Sequence, residues 1–534
     1  MQRHDVIAGL SIAGLMLPEA IAYAGIAGLP PQRAILAAVA GSCAYLILGR
    51  SRFAIVSPTS SSAAILAAAL ASLPPEGRGA SAMATLIVVM VGTMFCVMAA
   101  ARLGGLASFI SRPVLRGFAF GLAITIIIKQ LPIIVGVPLH KLPIGALLLA
   151  LLRSPQSWHG ASIATAIAAF TTLLLLRRMP GLPGAFLVLV GGIGASGLLD
   201  LPARGVASVG MIDLTPHWEG MFWPDWQQLS HVAQLAVPIV LILFAESWGT
   251  MRNLALRHGD KVEPNREMAA LGLANIAAAL VQGMPVGAGF SAGSAAEASG
   301  AHTRWTGLVA AGALAALVIL AMPLVARLPD PVLAAVVVAA LLHALDPMPL
   351  LRLWRIRRDS VAALGATAGV LVLGVLNGML FAIALSLALL IRRLAAPQLS
   401  QLGQLGSGHD YVDLLRHPDA ISPPGMMILR PAEPLFFANA ERVLARVVDL
   451  LGAHGDRHHL ILSLEESFDL DSTALDALIE FDTLMRARGV TLQLARVRDH
   501  VRDLMNAAGA ANLIARSSYS VDDAVEALKQ EEKP

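Results

Sequence analysis

The chain has 534 residues, of which 56% are hydrophobic and 14% charged, with a formal net charge of +3 and a mean hydropathy of +0.69. That composition excludes an ordinary soluble globule. The small basic surplus sits at the ends of apolar runs, which excludes a nucleic-acid-binding surface, and Cys43 and Cys96 lie inside apolar runs, where they read as packing residues rather than a disulfide or metal pair.

Charge is scarce through the first ~390 residues and then returns, so a membrane region precedes a soluble tail. A membrane span needs ~20 mostly apolar residues. Such runs place span one near 6–23, where it reads as retained rather than as a cleaved signal, and span two near 34–48. A short third span starts at Pro58, followed by spans from Ala82, Pro113, Ala161 and Ala185, with 139–153 read as interfacial. The second half starts near His231, continues from Met268, has a short tenth span from about Phe290, and then runs from Trp305, Pro331, Val361 and Leu380. The expectation is a polytopic α-helical membrane protein of fourteen spans over residues 1–396, with repeats at about 1–200 and 230–394.

The basic residues give the orientation. With a cytoplasmic N-terminus, Arg50, Arg52, Arg112, Arg116, Arg177, Arg178, the stretches 252–266 and 352–358, and Arg392 with Arg393 all fall on the cytoplasmic side. Only scattered ones, Arg33, Arg78, Arg204 and Arg327, fall opposite. This positive-inside bias places both termini in the cytoplasm of a cell whose inner membrane holds the chain. Seven spans per half is an odd number, so two related halves must insert in opposite orientations, the inverted repeat of many secondary transporters.

Two stretches interrupt the apolar pattern in corresponding places. Residues 55–71 read IVSPTSSSAAILAAALA, and residues 283–306 read GMPVGAGFSAGSAAEASGAHTRWT. Helices broken at the bilayer midplane aim free N–H groups and the positive end of the helix dipole at an anion. Such small residues also serve tight helix packing, but their matched placement in both halves favours a binding site. A carboxylate at a membrane helix centre costs roughly 2.5–3.5 kcal/mol, so Glu19 in span one and Glu246 in span eight are candidates for function rather than decoration. Glu246 and Thr250 are four apart and share a helix face, where they could ligate sodium. Glu246 could instead carry a proton, since burial favours the neutral acid. Either acid could also simply accept hydrogen bonds from a helix end. Glu297, near His302 and Arg304, is expected at the cytoplasmic edge, Lys129 reads as a snorkelling or paired residue, and Trp248 reads as packing.

After Arg393 the polar, glycine-bearing stretch 397–424 reads as a linker. Residues 425–534 then alternate strand and helix: MMILRP, an amphipathic helix through LFFANAERVLARVVDLL, HLILSLEE, a second helix after DLDSTALDAL, VTLQLARV, and a third helix. This is a small cytoplasmic α/β domain, with Asp471 or Ser472 as a helix cap. No phosphate-binding G-x-x-x-x-G-K-[ST] loop is present anywhere, which disfavours an ATP-driven pump.

These residues resemble the SulP anion transporters with a C-terminal STAS domain. PEAIAYAGIAGLPP, GRSRFAIVSPTSSSAA, KVEPNREMAALGLANIAAALVQGMP, LFFANAERV and DLDSTALDAL carry the resemblance across nearly the whole chain. It implies a core of two inverted repeats that moves in an elevator-like way against a gate, a homodimer, and substrate held between the third and tenth half-helices. Carried over by position, the anion would lie near Tyr23, Thr59, Ser60 and Ser61 on one side and Gly289, Phe290 and Ser291 on the other, with Glu246 and Thr250 as the cation-coupling pair. Thr473 matches the residue phosphorylated in stand-alone STAS proteins, and the tail is expected to bind a cytoplasmic regulator. This chain departs from the family pattern at Glu19, often glutamine, and at Ala292, often arginine. The site has therefore lost a fixed cation and gained an acid.

The expected function is secondary transport of a small anion such as sulfate, bicarbonate or a dicarboxylate, with Na+ or H+ as the coupling ion and no organic cofactor or structural metal. Alternatives are a proton-coupled nucleobase permease of the same fold, and an exchanger or channel without cation coupling. A sensor whose spans move nothing would not need broken helices. An enzyme is the weakest alternative, since GFSAG (289–293) formally fits G-x-S-x-G but opens a membrane half-helix.

Overall fold

The computed structural model describes residues 3–72, 80–105, 111–138, 142–176, 178, 184–211, 225–357, 359–453 and 458–531. The chain divides into two compact units, Met1–Ser386 and Leu387–Pro534. Arg78, Arg177 and part of the 352–358 stretch lie outside the described residues.

In the first half of the first unit come α1 (Arg3–Ala27), α2 (Pro31–Leu48), strand β1 (Val56–Pro58), α3 (Ser60–Ala71), α4 (Ala80–Ala100), α5 (Arg112–Val135), α6 (Ile144–Arg153), α7 (Gly160–Leu176) and α8 (Gly184–Leu198). The second half holds α9 (Trp226–His258), α10 (Pro264–Leu280), strand β2 (Val286–Ala288), α11 (Phe290–Ala298), α12 (Trp305–Val325), α13 (Asp330–Leu341), α14 (Met348–Arg355), α15 (Ser360–Leu373) and α16 (Val375–Leu394). Each of the fourteen expected segments coincides with a helix, and α6 and α14 are additional. Six described helices are by themselves long and apolar enough to cross a membrane, among them α1, α5 and α9.

Packing repeats between the halves. Helix α4 lies on α10 as α12 lies on α2, and α1 lies on α12 as α9 lies on α4. Likewise α1 meets α11 as α9 meets α3, and α5 meets α15 as α7 meets α13. Exchanging the two halves therefore preserves the contacts, as an inverted repeat requires. The α4–α10 crossing is close because both sides carry glycine: a Cβ on Gly92 would fall 2.8 Å from the Ile276 nitrogen, and one on Gly272 would fall 3.0 Å from the Cys96 nitrogen.

The two interrupted stretches meet. Strands β1 and β2 pair antiparallel, with Val56 opposite Ala288, Ser57 opposite Gly287 and Pro58 opposite Val286. A two-stranded ribbon deep in an apolar environment leaves its outer backbone groups unpaired, which is costly. Buried side chains complete them. The Ser42 hydroxyl of α2 donates to the Val56 carbonyl at 2.7 Å. Its counterpart on α10, Asn275, donates to the Val286 carbonyl and accepts from the Val286 N–H, both at 2.9 Å. Ser62 donates to the Pro285 carbonyl at 3.1 Å, and the Ser247 hydroxyl accepts the Ala288 N–H at 2.9 Å.

One end of this unit is tied by polar loops. Asp5 accepts the N–H groups of His302 and Thr303 at 3.0 and 2.9 Å, as well as the hydroxyls of Thr303 and Thr306, just before and at the start of α12. Glu267 accepts the Tyr45 hydroxyl at 2.5 Å and the Arg50 N–H at 3.0 Å. Arg52 pairs with Asp260 at 2.7 Å, and Glu297 takes His258 at 2.8 Å and Arg257 at 3.5 Å. The Arg50–Arg52 stretch thus shares a face with the 257–267 stretch, as the basic-residue pattern requires, and Glu297 sits at that edge.

The second unit contains β3 (Leu399–Leu405), β4 (Tyr411–Asp413), β5 (Ala420–Ile421), β6 (Met426–Pro431), α17 (Ala440–Ala453), β7 (His459–Ser463), α18 (Ser472–Ala487), β8 (Thr491–Ala495), α19 (Asp499–Ala507), α20 (Ala511–Ala515), β9 (Ser517–Ser518) and α21 (Val521–Glu531). The sheet order is β4-β3-β6-β7-β8-β9, parallel from β6 to β9, with β5 paired to β3. Met427, Leu429, Leu460 and Leu462 face α17, α18 and α19, while Met426, Ile428 and Ile461 face α21. The structure corrects the reading of 397–424 as a linker: β3 pairs antiparallel with β6, and β4 and β5 pair with β3. Its polar, glycine-bearing sequence hid these strands because of β3 only Leu402 and Gly403 are buried. Asp471, not Ser472, caps α18 by accepting the Ala474 N–H at 2.8 Å, and Thr473 is exposed in its first turn.

Asn275→Ala removes three hydrogen bonds, two of them from the edge of β2. Each orphaned buried group costs about 1–3 kcal/mol, so the detergent-solubilised protein should melt well below wild type in a thermal-shift assay, whereas Cys43→Ala, at an exposed position, should not change melting.

Candidate functional site

The β1–β2 ribbon aims α3 and α11 at one another. Thr59 is the N-cap of α3, its hydroxyl accepting the Ser62 N–H while the Ser62 hydroxyl accepts the Thr59 N–H. Gly289 is the N-cap of α11 and supplies no side-chain cap, so the first N–H groups of that helix keep their hydrogen-bonding capacity. A Cβ on Gly289 would lie 3.4 Å from the Thr59 methyl and 3.9 Å from Glu246 Oε1, which measures how closely the two helix starts and the carboxylate approach.

Ser61 and Ser291 each stand three residues after the paired strand of their own half. Each donates to an acid on the long helix of the other half. The Ser61 hydroxyl donates to Glu246 Oε2 of α9 at 2.5 Å, joined by the Thr59 hydroxyl at 3.3 Å. The Ser291 hydroxyl donates to Glu19 Oε1 of α1 at 3.3 Å. Glu19 is buried, and Tyr23, one turn further along α1, is buried beside it. Ser60 is half-buried, while Phe290, the first residue of α11, is 43% exposed.

All seven residues expected to surround the substrate therefore gather at the two half-helix starts or on the facing turn of α1. Glu246 joins them. Thr250 lies one turn on along α9: its hydroxyl donates to the Glu246 backbone carbonyl at 2.9 Å, and its methyl lies toward Gly293. A threonine inside a helix readily bonds back to the carbonyl four residues earlier, and here that bond takes its proton. The oxygens grouped with the carboxylate are those of Thr59 and Ser61. Ala292 is buried in the first turn of α11 at the position that Ser62 holds in α3. Trp248 stacks on Phe244, as packing predicts, and Lys129 is exposed on α5.

Ser42, Ser62, Ser247 and Asn275 were not singled out by their sequence, although they hold the ribbon that aims both helices. The strongest available signal was Asn275, an amide inside the apolar run GLANIAAAL. Ser247 adjoins Glu246 and was overshadowed by it.

Chemically the site offers helix N-termini, each equivalent to roughly half a positive charge, together with hydroxyl donors and two carboxylates. Among the described residues the hydrogen-bond partners of Glu19 and Glu246 are hydroxyls, with no guanidinium or ammonium among them. Among them, too, no group of three or more His, Cys, Asp and Glu could hold a metal.

Close packing behind the site is testable. A Cβ on Gly293 would fall 2.9 Å from the stiff Thr250 methyl and 3.4 Å from the Phe53 carbonyl. Gly293→Ala should therefore shift α11 against α9 at a cost of about 1–3 kcal/mol and reduce solute uptake, while Gly194→Ala, with open space around it, should leave uptake unchanged.

Comparison with known proteins gives a consistent picture. The sulfate permease family model matches residues 3–367, and the STAS domain model matches 417–524. A probable sulfate transporter of Mycobacterium tuberculosis is 33% identical over 99% of this chain and 95% of its own length. High affinity sulfate transporter 2 of Stylosanthes hamata is 25% identical over 98% of this chain and 83% of its own length. The human solute carrier family 26 member 6 is 27% identical over 82% of this chain and 61% of its own length. Among solved structures, the murine solute carrier 26 family member A9 anion transporter in the inward-facing state superposes with a TM-score of 0.89 at 20% identity, covering 99% of this chain and 91% of that one. The transmembrane domain of a cyanobacterial bicarbonate transporter superposes with a TM-score of 0.62 at 22% identity, over 71% of this chain and 97% of that one.

Proposed function

The chain belongs to the sulfate permease family, a family of integral membrane transporters rather than enzymes, and we propose that it moves a small anion together with a cation. The observation that carries this reading is the reciprocal pair of acids at the half-helix starts, Glu246 on Ser61 and Glu19 on Ser291. Two opposed helix N-termini attract an anion. Two ionised carboxylates in the same place repel it. Neutralising one of them with a proton, or bridging it with sodium held by the Glu246 carboxylate and the Thr59 and Ser61 oxygens, removes the repulsion and leaves hydroxyls and N–H groups to receive the anion.

The cargo is sulfate, bicarbonate or a dicarboxylate: the names of the relatives favour the first, and the bicarbonate transporter that superposes on the membrane unit favours the second. In this reading the chain makes fourteen crossings of the cell's inner membrane, with both termini cytoplasmic, and works as a homodimer. The half-helix site rides with an elevator-like core past a gate. The STAS unit meets a cytoplasmic regulator, with Thr473 exposed for modification.

The decisive experiment is uptake of labelled sulfate, bicarbonate and fumarate into proteoliposomes, with and without an inward sodium or proton gradient. One anion should accumulate above equilibrium only with one gradient. Glu246→Gln should lower gradient-driven accumulation about tenfold or more, the worth of a hydrogen-bonded buried charge, while sparing anion-for-anion exchange. Uptake indifferent to both gradients, retained in Glu246→Gln, would make the protein an exchanger or uniporter.

A further inference from the structure

Away from the half-helices, a cavity of about 400 Å³ opens between the start of α5 and the short helix α14, lined by Arg116, Arg352, Arg355 and Asp346. We propose that this cavity binds the phosphate of an anionic phospholipid headgroup, with α14 lying in the interfacial plane of the bilayer.

Helix α14 reads MPLLRLWR, and its two arginines are three apart, so they share a face. The helix packs on α5 and α15, yet Leu353 is its one buried residue. Three of its other large apolar side chains stay out: Trp354 is 65% exposed, Met348 58% and Leu351 48%, while Leu350 is half-buried. A helix with arginines beside exposed Trp, Leu and Met is built for the boundary between headgroups and acyl chains.

The charge in the cavity is unbalanced. Three guanidiniums face one carboxylate, and Asp346 already accepts the Met348 N–H at 3.0 Å at the start of α14. Among the described residues, Arg116, Arg352 and Arg355 have no ion pair or side-chain hydrogen bond. The basic-residue pattern assigns Arg112, Arg116 and the 352–358 stretch to one side of the membrane, and the structure brings Arg116 to Arg352 and Arg355. Basic pockets between membrane helices on that side suit lipid phosphates. A free phosphate would satisfy the arginines equally well but would leave the apolar rim uncovered. An anionic lipid satisfies both, its phosphate on the arginines and its chains along Leu351 and Trp354.

The test is native mass spectrometry of the full-length protein in detergent, titrated with phosphatidylglycerol or with phosphatidylcholine of the same acyl chains. At roughly 1 kcal/mol per basic residue near an anionic lipid, the double variant Arg352→Gln/Arg355→Gln should bind phosphatidylglycerol about thirtyfold more weakly. Its binding of phosphatidylcholine should not change. Arg327→Gln, on the opposite face, should bind both lipids as wild type does. Equal loss in Arg327→Gln, or no preference for phosphatidylglycerol in the wild type, would overturn the proposal. So would displacement of phosphatidylglycerol by inorganic phosphate at matched concentration, which would make the cavity a small-anion site. The melting temperature of all three proteins is measured alongside, so a folding defect is read separately from lipid loss.

Discussion

A helix that stops in the middle of a membrane domain must find partners for the backbone groups it releases, and the rest of this architecture follows from how that is done. Two breaks face each other, and each supplies a three-residue strand to the other. An antiparallel pair suits this purpose because it is related to itself by a two-fold axis, the same operation that relates the inverted halves. The pair satisfies its inner edges, and Ser42, Ser62, Ser247 and Asn275 satisfy outer ones. The result is a rigid ribbon whose ends fix where α3 and α11 begin. Small residues around it, Gly287 and Gly289 in particular, let α9 come close enough to place Glu246 beside the start of α3.

Once the helix starts are fixed, electrostatics decides what the site can hold. A helix N-terminus worth about half a charge is an anion site in a dry surround, but each one here faces a carboxylate of the opposite half. Two half-charges against two ionised carboxylates leave the site net negative rather than positive. In relatives that carry arginine where this chain has Ala292, the fixed cation would tip that balance toward an anion with no companion. Here Ala292 is buried and uncharged, so in the proposed mechanism the balance is tipped by a cation from outside the chain.

Much of this was legible in advance, for reasons that differ by element. The fourteen apolar segments were readable because hydrophobic runs of that length have few soluble uses. The site was readable because Pro58, Thr59, Ser60 and Ser61, like Pro285 through Ser291, break such a run twice in matched places. The ribbon itself was not readable: VSP and VGA are too short for any alternation, and proline is a poor strand residue unless a neighbour relieves it. The acceptor of the Thr250 hydroxyl was not readable, because helix spacing places a hydroxyl on a face but does not say which acceptor it will choose. The strands at 399–421 were hidden by polar composition, since an antiparallel edge can leave much of each strand in water.

The two halves are alike in plan but not in chemistry, and that difference gives the proposed site a direction. On α3 the capping box consumes the N–H of Ser62, and both Thr59 and Ser61 spend their hydroxyl protons on Glu246. On α11 Gly289 leaves the first turn uncapped, and its single hydroxyl bond to Glu19 is long at 3.3 Å. An anion arriving between them finds more free donors on the α11 side, while the oxygens best grouped to receive a cation lie on the α3 side. In the proposed mechanism, anion and cation subsites then fall on opposite half-helices, so that filling one lowers the electrostatic cost of filling the other. Such mutual dependence is what a coupled transporter needs, and an inverted repeat yields it when its two members keep the same backbone but diverge at a few capping residues.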